Sequence, residues 1–88
     1  MSTSAFVLVK LKTHNLPLID KESLTLKNQL SLIQGVENVF FVEPGDSYFD
    51  AIVRITTFSI ESLYKIVLGN IAKSPNVLET TTMIVIDQ

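Results

Sequence analysis

Two stretches of this chain, YFDAIVRI over residues 48–55 and VLETTTMIVID over residues 77–87, are so dense in threonine, β-branched and aromatic side chains that both are committed to strand. In the first, Phe49, Ala51, Val53 and Ile55 fall on one face and Tyr48, Asp50, Ile52 and Arg54 on the other, leaving the second face mixed. Between the two stretches the period changes. Ser59 is placed to cap a helix, with Phe58 set to staple against Leu63 and with Ile60, Leu63, Tyr64, Val67 and Ile71 as an apolar stripe, until Ser74 and Pro75 stop it.

The first half repeats the pattern. AFVLVKLK, residues 5–12, is apolar on both faces and then alternates, which suits a strand inside a sheet. Pro17 keeps the following loop from being helical, and Asp20 can cap a helix whose buried stripe is Leu26, Leu30 and Ile33 and which Gly35 ends. VENVFFV, residues 36–42, is the next strand, and EPGDS makes the turn into residues 48–56. The order strand, helix, strand, strand, helix, strand with right-handed crossovers predicts an α+β, ferredoxin-like βαββαβ sandwich of the dimeric α+β barrel type, both helices on one sheet face. Phe6, Leu8, Ile52 and either Phe40 or Phe41 then fall on the uncovered face, where a second copy packing sheet on sheet would bury them.

At 88 residues the chain makes one domain, residues 1–88, and its 47% hydrophobic against 18% charged residues is rich for a solvated monomer, so self-association is expected. The formal charge is −2 and the basic residues are scattered, which disfavours direct nucleic-acid binding. The start lacks a basic leader and cleavage site, and no apolar run reaches membrane-spanning length, so a soluble cytoplasmic protein is expected. There is no cysteine, and the lone histidine, His14, has no partner at ligand spacing; neither a metal nor a cofactor is expected.

With these residues in view, the chain resembles the C-terminal effector-binding (RAM) domain of the Lrp/AsnC family of transcription regulators. The resemblance covers residues 5–86 and rests on AFVLVK, on GVENVFFV after the first helix, on a glycine followed by an acid at the head of the third strand, and on VLETTTMIVI after a proline. Family members typically carry GxYD in that hairpin and TxT followed by aliphatics in the last strand; the matches are Gly45 with Phe49 and Asp50, and Thr80 with Thr82. GDSYFD spaces its glycine and acid more widely than the family does, and Phe49 replaces the usual tyrosine. The family's helix-turn-helix is missing and the chain begins at Met1, so it resembles a stand-alone effector domain.

The resemblance implies dimers formed through the sheets, further assembly into an octamer or similar ring of dimers, and a small effector, an amino acid first among them, bound at contacts between dimers. Full-length Lrp/AsnC regulators are the further partners it implies. The ligand-binding set is then Gly45, Tyr48, Asp50, Thr80 and Thr82: amides near Gly45 meet a carboxylate, Asp50 pairs with an ammonium, and the two threonine hydroxyls complete the hydrogen bonds. Each has a plainer role: Gly45 as a hairpin residue, Tyr48 covering an interface, Asp50 reaching water at a sheet end, and the threonines as strand formers. Two other functions compete with sensing. The chain can be a ligand-free partner in mixed oligomers, or a small dimeric α+β barrel enzyme using His14, Asp50 and Tyr48, which come from different elements; no enzyme is the expectation.

Overall fold

Strand β1 (Thr3–Leu11) is one of the two inner strands of the sheet, paired along both edges. The chain, seen in a computed structural model that describes residues 2–12, 21–42 and 48–86, with only the main chain described at 21–23, continues as α1 (Lys21–Ser31), β2 (Val36–Phe41), β3 (Ala51–Thr57), α2 (Ile60–Ile66) and β4 (Val77–Ile84). The strands lie in the order β2-β3-β1-β4, every neighbouring pair antiparallel, which is the ferredoxin-like arrangement expected from the order of elements. Pro17 and Asp20, expected to shape the entry to α1, lie outside the described residues, as does His14.

Alternation along the strands makes the sheet two-faced. Ala5, Val7 and Val9 of β1 and Ala51, Val53 and Ile55 of β3 are all fully buried and form the floor of the core. Leu26 and Leu30 of α1 and Leu63, Val67 and Ile71 from the second helix close it from above. The opposite face carries Phe6 and Leu8, paired with Arg54 and Ile52, while Phe40 pairs with Ile52 from the β2 side and Met83 with Phe6 from the β4 side. Phe40 is therefore the outward residue of the Phe40–Phe41 pair, 49% exposed, while Phe41 packs against the core.

The second helix departs from expectation in two ways. Ser59 caps it, accepting from Ser62 N–H at 3.1 Å, but Phe58 is 89% exposed, so it makes no staple with the fully buried Leu63. Ile60 and Tyr64 are exposed as well, and the buried stripe narrows to Leu63, Val67 and Ile71. In a regular α-helix Ile71 would sit about 80° round from Leu63 after eight residues. Instead the helix widens into a π-helical turn at Val67–Ile71, with Ala72 N–H donating to Val67 O at 2.8 Å, which returns Ile71 to the core.

Helix α1 ends at Ser31, ahead of the glycine expected to stop it. Gly35 sits in the following turn at φ 101°, where its carbonyl accepts from Thr56 N–H at 2.9 Å. A Cβ there would meet Ile66 Cδ1 at 3.0 Å and Thr56 O at 3.3 Å. Gly35→Ala is therefore expected to destabilise by about 1–2 kcal/mol from the left-handed backbone alone. Leu30→Ala, a core truncation, is expected to cost about 2–5 kcal/mol. Chemical denaturation of both variants checks the order; an unaffected Gly35→Ala would show that the turn relaxes freely.

Candidate functional site

The β1–β3 ladder ends at Val9↔Ala51, and the residue before Ala51 takes over where the ladder stops. Asp50 N–H donates to Val9 O and Asp50 O accepts from Val42 N–H, each at 2.9 Å, so its main chain is held from both sides. Its carboxylate then acts as the missing strand acceptor: Oδ2 accepts from Leu11 N–H at 2.9 Å. Leu11 N–H needs this partner because it lies two residues beyond Val9, where the β1–β3 ladder has already ended.

Asp50 is 0% exposed. The plainer expectation, an acid reaching water at the sheet end, is thus corrected. A buried carboxylate requires compensation, supplied by the Leu11 N–H and by Lys10, whose Nζ lies 3.5 Å from Oδ2.

Lys10 also lies over the Tyr48 ring, 5.0 Å from its centroid, a cation–π distance. Tyr48 packs edge-on to Phe49 at 5.2 Å and hydrogen-bonds to Glu79, the cross-strand partner of Lys10. That hydrogen bond is the main reason the Tyr48 phenol is raised above its ordinary 10.0, with desolvation and the negative charges of Glu79 and Asp50 adding to it. Asp50, Lys10, Glu79 and Tyr48 therefore form one charged corner at the end of the open sheet face.

The expected site residues do not all converge on this corner. Tyr48 and Asp50 do. Thr80 and Thr82 pair with Val9 and Val7, so they point to the helix side of β4 and are half-buried there, while Glu79 and Thr81 share the open face with Lys10 and Leu8. Within one chain the sheet separates the threonines from the acid. Gly45 lies outside the described residues. Lys10 and Glu79 were not among the expected residues; the signal for them is a charge at the end of each apolar alternation, AFVLVK and VLE, which only the β1–β4 register turns into a pair.

An open groove of about 970 Å³ lies on the helix side, bordered by Gly35, Thr57, Phe58, Lys65, Ile66 and Asn70, and no expected site residue lines it. Among the described residues no group of three or more His, Cys, Asp or Glu is arranged to hold a metal, and no helix is long and apolar enough to cross a membrane.

No family model matches this chain, and no curated protein does. Solved structures do. FFRP-DM1 superposes with a TM-score of 0.76 at 24% identity, over 96% of this chain and 99% of that one. AsnC of E. coli gives 0.78 at 16% identity over 98% of this chain and 52% of AsnC. The transcriptional regulator NMB0573 of Neisseria meningitidis, in complex with L-Met, gives 0.75 at 13% identity over 98% of this chain and 51% of that one. The chain thus spans about half the length of these two regulators. At such identities the likeness is one of fold, and the fold is that of AsnC-type transcription regulators and of an FFRP protein.

The corner makes a spectroscopic expectation. In a Tyr64→Phe background, which leaves Tyr48 as the only tyrosine, the phenol should titrate above 10.0, and Glu79→Ala should bring it down because the hydrogen bond and the nearby negative charge are both removed. Ultraviolet titration of the tyrosinate reads this directly. An unmoved curve in Glu79→Ala would break the Tyr48–Glu79 link.

Proposed function

We propose that this chain is an effector-binding domain of the Lrp/AsnC RAM type, which self-associates through its open sheet face and binds a small zwitterion, an amino acid first among candidates, at a contact between subunits. The observation that carries the reading is the buried Asp50 held in a charged corner, on a fold shared with AsnC and with a regulator solved in complex with L-Met. A fixed buried carboxylate beside an aromatic ring is suited to an ammonium group, and fixing it in advance lowers the ordering cost of binding. Thr80 and Thr82 stand on the other side of the sheet, so their hydroxyls join the site only if a neighbouring subunit presents them. That requirement favours a site at a subunit contact.

In this reading the domain carries no catalytic role and reaches DNA only through a partner regulator. The described residues hold an acid–lysine corner and an apolar sheet face, and the chain as a whole is net negative, so the phosphate attraction that drives DNA binding is absent.

A thermal-shift and calorimetric screen of the standard amino acids tests sensing, because a ligand at 100 times its dissociation constant stabilises by about 2.7 kcal/mol. Asp50→Asn keeps an acceptor for Leu11 N–H while removing the charge. It should stay folded and weaken binding of the ligand found by roughly 1.5–3 kcal/mol, the range for a hydrogen bond to a charged group. Equal affinity in a folded, assembled Asp50→Asn would remove Asp50 from the site.

A further inference from the structure

The charged corner has the make-up of an ammonium cage: a fully buried carboxylate, an aromatic face, and a second carboxylate bonded to the hydroxyl of the same ring. A primary ammonium matches such a set, since it offers three hydrogen-bond donors to anionic oxygens and is attracted to the ring face. In this chain the cage is already filled. Lys10 Nζ stands 3.5 Å from Asp50 Oδ2 and 5.0 Å from the Tyr48 centroid, directly across the ladder from Glu79.

The acid and the lysine differ in how they are held. Asp50 is fixed by hydrogen bonds with Val9 O, Val42 N–H and Leu11 N–H, none of which involves Lys10. Lys10 reaches the cage on a flexible four-carbon stem and keeps 21% of its side chain exposed, so the cage opens to solvent along the path the lysine takes. Lys10 stands beside Asp50 and across the ladder from Glu79, so an entering ammonium that displaces it takes a place near two carboxylates.

We propose that this corner is a binding site for a primary ammonium group, which the chain occupies with its own Lys10, and that an effector amine enters by displacing that side chain. The effector's identity rests on the sensing reading above; the cation site does not. Because Lys10 is tethered, it competes at high local concentration, and a free amine succeeds only when the rest of the ligand supplies further contacts. The device makes the site selective against simple amines.

The test removes the tethered ammonium and offers a free one. Lys10→Ala, and Lys10→Met with its apolar stem retained, are titrated with n-butylammonium chloride, with sodium chloride and neutral butyramide as controls. Thermal unfolding and the NMR signals of Leu11 N–H and the Tyr48 ring are read. Both variants should regain melting temperature with n-butylammonium but with neither control, and bind it about tenfold or more tighter than the parent chain. Adding Asp50→Asn to Lys10→Ala should abolish the response.

Equal responses of parent and variants to n-butylammonium would overturn the proposal. So would loss of folding in both variants, which would make Lys10 a structural counter-ion. An amino-acid screen of the parent separates this inference from the sensing reading. A negative screen alongside n-butylammonium binding to Lys10→Ala removes sensing and leaves the cation site. An amino acid that binds parent and Lys10→Ala equally leaves sensing and removes the lysine's role.

Discussion

The molecule depends on a sheet of which, among the described residues, only one face is covered. Once β1 is paired on both sides, its alternation sends Ala5, Val7 and Val9 into a core roofed by both helices, and it must send Phe6 and Leu8 the other way. Ile52, Phe40 and Met83 line up beside them through the ladder register, so the outer face gathers large apolar side chains across all four strands. Burying each such side chain is worth about 1.5–3 kcal/mol, which a chain of 88 residues with a small core has reason to recover. A second copy, sheet against sheet, is the cover we propose.

The same register explains why the outer face is not uniformly apolar. Where the β1–β3 ladder stops, a main-chain donor is left without a strand partner, and Asp50 supplies a side-chain oxygen in its place. A carboxylate so deep needs a cation, and the position opposite on β1 is Lys10; the next strand over contributes Glu79, which reaches Tyr48. The exposed Arg54–Glu37 pair, at 3.7 Å, is of another kind: half of each side chain is in water and the pair adds little. The corner around the buried Asp50 is where charge, aromatic surface and a rigid backbone meet, and where we place ammonium recognition.

Much of this was legible in the sequence, for identifiable reasons. Period-two runs in residues 5–12 and 48–56 gave the correct faces of β1 and of β3 from Ala51 onward, although residues 48–50 lie ahead of the strand, and the β-branched tail gave β4, because strand alternation is set by local geometry. The second helix is less legible: ideal helical spacing puts Ile60 and Tyr64 in the buried stripe, whereas the π-helical turn at Val67–Ile71 rotates the buried face away from them. The site was the least legible part. Asp50 and Tyr48 stand out locally, but Lys10 and Glu79 join them only through a ladder register containing a bulge, and the face that Thr80 and Thr82 occupy depends on the same register. A pattern read along one strand does not specify its neighbour's offset.

The two-copy sheet is tested most directly by mass in solution. Sedimentation equilibrium of the parent chain and of Leu8→Lys, which places a charge in the middle of the open face without touching the core, is the measurement. A mass of at least two chains at micromolar concentration, falling toward one chain in Leu8→Lys while circular dichroism still shows a folded domain, is the expected result. A parent chain that is monomeric, folded and stable at that concentration would contradict it.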